Sequence, residues 1–253
     1  MRTLILSDVH ANLVAFEAVL RHATKRRFDE VVFLGDIVGY YSEPERCVAL
    51  LRDLSPKANI LGNHDAMLLS EVGERGESHF RSRSVVAEVV SKHAQVLSRE
   101  SVAYIDSFQN HAVGRGWEAT HGSLRERWAY LSSLTQAQEN QPAMQRDLLF
   151  FGHTHVPVAY VRVSMNGKEM WRTAGFRGDH ATYRIPPNAQ VLFNPGSVGQ
   201  PRDGVPKASY AVSDDESRTL EVFRVDFDIA KVQRQLREAG YQASLGTRLE
   251  QGH

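Results

Sequence analysis

Asp8 and His10 stand two residues apart at the end of a short apolar run, Leu4-Ile5-Leu6. Side chains two apart on an extended strand share a face. A carboxylate oxygen and an imidazole nitrogen are therefore offered to one point, as a metal or a phosphate requires. A strand that merely meets a polar turn would explain this pair alone, but the pattern recurs. Val31 to Leu34 runs into Gly35-Asp36, and Asn59 to Leu61 into Gly62-Asn63-His64-Asp65. Trp117 to Thr120 leads to His121-Gly122-Ser123, and Leu148 to Phe151 to Gly152-His153-Thr154-His155. Asp8, His10, Asp36, Asn63, His121, His153 and His155 are thus candidate metal ligands. Their mixture of carboxylate, imidazole and amide oxygen suits Mn, Fe, Zn, Co or Ni. These seven donors exceed what one tetrahedral ion needs, whereas two ions sharing a carboxylate would use them all.

The elements that must position these groups follow from periodicity. Leu13 to Arg27 repeats apolar residues at helical spacing, with Asn12 as its expected cap. Strand, helix, strand within about 35 residues is a βαβ unit whose strands are parallel neighbours, with ligands beyond their carboxyl ends. Pro44 to Leu54, Thr135 to Asp147 and Ile229 to Ala239, the last capped by Asp228, read as further helices. The stretch from about residue 66 to 107, broken at Gly73 and Gly76, reads as a helical insertion lying over the site. After residue 155 the period changes to two. Val158 to Val163 and Glu169 to Thr173 flank Asn166-Gly167, a strong hairpin signal. Further β pattern follows at Val191 to Phe193, Ala208 to Val212 and Thr219 to Phe227, and the last dozen residues are expected to fray. The expectation is one α/β domain over 1–253, with two stacked sheets flanked by helices.

Composition narrows the function class. The chain has 253 residues, 42% of them hydrophobic, with 30 basic residues against 30 acidic. Zero formal charge argues against a protein held to nucleic acid or to an anionic membrane by a basic surface. No stretch approaches the roughly 20 apolar residues of a membrane span, and the N-terminal apolar run is too short for a signal peptide. Cys47 is the only cysteine. It excludes an intrachain disulfide and a cysteine-type zinc site, and on an apolar helix face it is expected in the core of a cytoplasmic protein. His22, His79, His93, His111, His180 and His253 lie in polar surroundings and are expected at the surface.

The ordered motifs Asp8-Val9-His10, Gly35-Asp36, Gly62-Asn63-His64-Asp65, His121 and Gly152-His153-Thr154-His155 resemble those of calcineurin-like metallophosphoesterases. Gly35 to Tyr40 and Asn194 to Arg202 further resemble a bacterial branch, related to YfcE-type phosphodiesterases and often labelled diadenosine tetraphosphatase-like. The resemblance implies a four-layer αββα sandwich with a dinuclear centre between its sheets. One ion would be held by Asp8, His10, Asp36 and His155, the other by Asp36, Asn63, His121 and His153, with Asp36 bridging. It also implies that His64 stabilises the transition state or protonates the leaving oxygen, with Asp65 orienting its ring or capping the helix that follows. Arg202, and with it Arg125 and Arg127, could clamp phosphate.

The expected activity is hydrolysis of a small phosphodiester or nucleotide by in-line attack of hydroxide held on two divalent ions. Phosphomonoesters and phosphoproteins are the alternative substrates. Gly35-Asp36 is followed by Ile37-Val38, not the Asp-Arg of protein serine/threonine phosphatases, and His64 by Asp65, not Glu, which counts against phosphoprotein. A scaffold with weak turnover should have lost a ligand, and none is missing. A nuclease fits the neutral charge poorly. A second copy of the chain is the remaining partner to consider.

Overall fold

Leu4, Ile5 and Leu6 are all fully buried, which a strand achieves only with both faces covered. In the computed structural model, which describes residues 1–73, 84–165 and 167–253, these residues lie in β1 (Arg2–Leu6) at the middle of a six-stranded sheet. β2 (Glu30–Phe33) pairs with β1 in parallel, and β3 (Ala58–Asn59) with β2. The βαβ unit closes through α1 (Leu13–Ala23), capped by Asn12, whose Oδ1 accepts the Ala15 N–H at 3.2 Å. α1 stops four residues short of the expected Arg27. α2 (Pro44–Asp53) leads to β3.

α3 (Asn63–Glu71), α4 (Val85–Val96) and α5 (Arg99–Asp106) occupy the stretch read as an insertion. Leu68, Leu69, Val90, Val102 and Ile105 join Leu4, Leu6 and Phe33 in one apolar cluster, so these helices form part of the outer layer of the first sheet. The expected break at Gly76, and His79, lie outside the described residues.

β4 (His111–Val113), β5 (Glu118–Thr120) and β6 (Leu148–Phe150) begin the second sheet. Between β5 and β6, α6 (Leu134–Asn140) gives way to a single 3-10 turn over Gln141–Ala143, where the expected helix ran on to Asp147. Pro142 lacks the N–H that would continue the helix. β7 (Val158–Met165) and β8 (Lys168–Gly175) form the expected hairpin, with Gly167 at φ +74°; Asn166 lies outside the described residues. β9 (His180–Arg184), an edge strand with alternating exposure, and the short β4 carry too little apolar pattern to be read beforehand. β10 (Ala189–Asn194) pairs with β6 in parallel and with β7 antiparallel. β11 (Ala208–Asp214) and β12 (Thr219–Val225) return to the first sheet, β11 antiparallel to β1 and β12 antiparallel to β11.

The sheet orders are β3-β2-β1-β11-β12-β9 and β4-β5-β6-β10-β7-β8. Both are mixed and each draws on both halves of the chain, so the two halves do not divide by sheet. Ile5, Val32, Phe150, Val191 and Val222 fill the space between them. Leu149, Phe151 and Leu192 face α6 on the outer side of the second sheet. This is the expected α/β sandwich of two mixed sheets flanked by helices. α7 (Ile229–Glu238) is capped by Asp228, as expected. The tail does not fray: α8 (Ser244–Gln251) buries Leu245 and Leu249, one turn apart, with Val232 and Leu236 of α7. No helix among the described residues is long and apolar enough to cross a membrane.

Candidate metal centre

The carboxyl ends of β1, β2, β5 and β6 converge on one buried cluster. Five of its side chains, on Asp8, His10, Asp36, His153 and His155, sit on backbone with φ between 53° and 68°. Left-handed backbone is uncommon outside glycine, costs on the order of 1–3 kcal/mol per residue and clusters at functional sites. Gly62 gives the cluster room, because a Cβ there would collide with Asp36 Oδ1.

Each imidazole is oriented by backbone. His10 Nδ1 donates to Val38 O at 3.0 Å, His121 Nδ1 to Leu34 O at 2.7 Å and His155 Nδ1 to Gln200 O at 2.6 Å. A carbonyl can only accept, so each Nδ1 carries a proton and each Nε2 faces inward, offering a lone pair whenever the ring is neutral. His153 is reversed: Nε2 donates to Trp128 O at 2.9 Å, which leaves Nδ1 for a ligand. Asp8 Oδ2 accepts from the Ser7 hydroxyl and from His153 N, and Asp36 Oδ1 from His64 N. The other oxygen of each, Asp8 Oδ1 and Asp36 Oδ2, is buried without a hydrogen-bond partner.

These orphaned atoms meet the inward nitrogens. His155 Nε2 lies 3.3 Å from Asp8 Oδ1 and 3.1 Å from His10 Nε2. His121 Nε2 lies 3.4 Å from Asp36 Oδ2 and 3.1 Å from Asn63 Oδ1. Lone pairs gathered this closely in a buried site repel unless a cation lies among them, so the donor set fits divalent metal. Asp8, His10 and His155 form one group able to hold an ion, and Asp36, His121 and His153 another. His10, Asp36 and His64 form a third. All seven expected ligands are thus brought together.

Charge completes the fit. Burial disfavours ionised carboxylates, but the surrounding imidazoles hold Asp8 and Asp36 well below the usual range. Burial likewise pushes His10 and His155 down and His153 to about 3. Anionic carboxylate and neutral imidazole are the forms a metal needs. His121 differs: burial lowers it, yet Asp36 carries it up to about 9. In metal-free protein near neutral pH, nitrogen NMR should therefore show His121 as imidazolium, losing its proton near pH 9, while His10, His153 and His155 stay neutral. A neutral His121 at pH 7 would contradict this placement of charge beside Asp36.

Asp65 meets one of its two expected roles, the cap and not the ring. Its carboxylate does not reach the His64 ring, whose Nδ1 is buried without a partner. It accepts backbone N–H groups from Asp36 at 2.8 Å, Ile37 at 2.9 Å, Val38 at 3.3 Å and Gly62 at 3.1 Å. The bond from Gly62, at the N-cap of α3, agrees with the capping role. Asp65 therefore ties the Asp36 loop to the start of α3. Asp65→Ala would strand these donors and should cost at least about 3 kcal/mol, or roughly 6–12 °C in Tm. Thermal unfolding checks this; an unchanged Tm would refute it.

His93 is a second correction. It is fully buried, with Nε2 donating to Tyr41 O at 2.7 Å and Nδ1 accepting from Gly39 N at 3.3 Å. It pins α4 to the loop that follows Asp36. The Asn194 to Arg202 motif is largely a brace: Ser197 Oγ and Gly199 N both donate to Asp8 O, and Gln200 O holds His155.

A cavity of about 220 Å³ opens on the cluster, bordered by His64, Met67, Val86, Tyr40, Tyr130 and Arg202 among others. Arg202 Nη2 donates to Tyr40 Oη at 3.0 Å and, with Nε, to Gln200 Oε1. No hydrogen bond from its Nη1 falls among the described residues. Arg125 borders a neighbouring cavity, and the Arg127 guanidinium lies 4.0 Å over the Trp128 ring. Neither borders the metal cavity. Tyr130, a lone tyrosine in a loop, has no periodic signal that would mark it in the sequence.

Residues 1–218 match the calcineurin-like phosphoesterase superfamily domain. The chain is 37% identical to a metallophosphoesterase from Sphaerobacter thermophilus of solved structure, each covered in full, with a TM-score of 0.84. It is 32% identical to an uncharacterised protein of Methanocaldococcus jannaschii, across 97% of this chain and 96% of that one. It is 26% identical to the phosphodiesterase YfcE of Escherichia coli, across 92% and 97%. The domain match spans every strand end that delivers a ligand, and the chain belongs to the calcineurin-like phosphoesterase superfamily, as a phosphoesterase.

Proposed function

We propose that this protein hydrolyses phosphodiesters at a centre of two divalent ions bridged by Asp36. One observation supports the bridge above others: Asp36 Oδ2, buried and without a hydrogen-bond partner, stands 3.4 Å from His121 Nε2 and 3.7 Å from His10 Nε2. A carboxylate oxygen between two ligand groups suits an atom shared by two ions. Asp8, His10 and His155 would complete one site, and Asn63, His121 and His153 the other. Bound there, the ions would polarise phosphoryl oxygens and lower the pKa of water; Mn, Fe, Zn, Ni and Co all suit the donors.

The remaining roles fall to side chains of the cavity. Arg202 Nη1 orients a non-bridging phosphate oxygen. His64 donates N–H to the leaving oxygen. Burial drops His64 to about 4, so it is neutral when free, and the negative charge of an adjacent phosphodiester would raise it toward proton transfer. Met67 and Val86 offer apolar contact to an ester substituent. A single domain with its lone cysteine buried and reduced fits a cytoplasmic enzyme. The test is metal-stripped protein reconstituted with each ion and assayed on bis-p-nitrophenyl phosphate and p-nitrophenyl phosphate. Higher kcat/KM on the diester is expected; preference for the monoester would overturn the substrate reading.

A further inference from the structure

Tyr130 is 49% exposed although one face of its ring is covered, lying 4.2 Å from the His153 ring at an interplanar angle of 10°. The ring borders two hollows: the metal cavity and a larger one of about 510 Å³. The larger hollow is polar, with Arg125, Glu126, Gln136 and Glu139 on its walls.

Its charge says what it does not hold. One guanidinium faces two carboxylates, and Arg125 Nη1 already reaches the Glu139 carbonyl at 3.5 Å. A second phosphate would be repelled. Positive charge gathers on the other side, where Arg202 and Arg248 lie 5.6 Å and 6.0 Å over the Tyr40 ring. The group beyond Tyr130 is therefore uncharged, flat enough to stack and able to hydrogen-bond. Gln136 spends its Oε1 on Ser132 and Ser133, which leaves its amide N–H groups for an incoming carbonyl, and Glu126 offers an acceptor.

Position distinguishes the two ester arms. The His64 ring sits 4.7 Å from the rings of His10 and Tyr40, whereas Tyr130 stacks on His153, which groups with Asp36 and His121. Tyr130 lines both cavities, whereas His64, the residue assigned to the leaving oxygen, lines the metal cavity and is not among the residues bordering the larger hollow. We propose that it receives the arm retained on phosphorus, and that this arm is a nucleoside whose base stacks on Tyr130. The proposal rests on the phosphodiester reading above.

The test compares thymidine 5′-(p-nitrophenyl phosphate) with methyl p-nitrophenyl phosphate, which share a leaving group and differ in the retained arm. Wild type should favour the thymidine ester in kcat/KM by about tenfold or more, as stacking on an aromatic ring provides. Tyr130→Phe should keep that ratio and Tyr130→Ala bring it close to one. Because Tyr130 touches His153, metal content is measured alongside, and Gln136→Ala, whose side chain is no candidate metal ligand, should independently reduce the ratio about threefold. A wild-type ratio near one overturns the proposal, as does a ratio unmoved by both Tyr130→Ala and Gln136→Ala. Hydrolysis of neither ester would instead strike the phosphodiester reading itself.

Discussion

Asparagine at position 36 should empty both halves of the metal centre together. The replacement keeps the shape and an oxygen to accept the His64 N–H, now made to Asp36 Oδ1 at 2.8 Å. It removes the negative charge that Oδ2 presents to His121 at 3.4 Å and His10 at 3.7 Å. An amide oxygen is a far weaker bridging ligand, and its N–H₂ would point at a cation. We expect both ions to fall in occupancy by elemental analysis and turnover to fall by at least about 10³-fold, several kcal/mol of lost Lewis-acid stabilisation. A variant that kept one ion at full occupancy would show that Asp36 serves a single site.

Alanine at position 64 should separate chemistry from metal binding. His64 Nε2 stands 4.0 Å from Asp36 Oδ2 and could join a group with His10 and Asp36. The ring nevertheless follows the ligand Asn63 directly and opens into the substrate cavity. As donor to the leaving oxygen it should contribute about 10²–10⁴ in kcat, the usual range for a positioned acid or base. Metal content should not change, and the loss should be smaller for p-nitrophenyl esters, whose leaving group needs little protonation, than for alkyl esters. Loss of an ion from His64→Ala would make His64 a ligand.

The metal centre was readable because five strand ends repeat one device: an apolar run, then a carboxylate or imidazole, often beside glycine. Ligand identity is local in such a pattern, and only convergence is tertiary. His93 shows where this fails. Flanked by Lys92, Ala94 and Gln95, it looks like surface, yet tertiary packing of α4 buries it against the Gly39 to Tyr41 loop. Asp65 caps α3, as one of its two expected roles has it, but four backbone amides from two loops take the carboxylate that the other role would turn to His64. α8 was read as frayed because Ser244, Gly246, Thr247 and Gly252 weaken its helical signal; its two buried leucines hold it through α7. Left-handed backbone at Asp8, His10 and Asp36 had no signature beyond residue types that tolerate it.

The central claim is a pair of ions joined through one carboxylate, and stepwise metal titration tests it most directly. Metal-stripped protein would be loaded with Mn, with bound ion measured by elemental analysis and hydrolysis of bis-p-nitrophenyl phosphate followed at each step. Binding should saturate at two ions per chain, with activity rising on the second and both lost in Asp36→Asn. Saturation at one ion with full hydrolysis, or no hydrolysis with Mn, Fe, Co or Ni, would contradict the account.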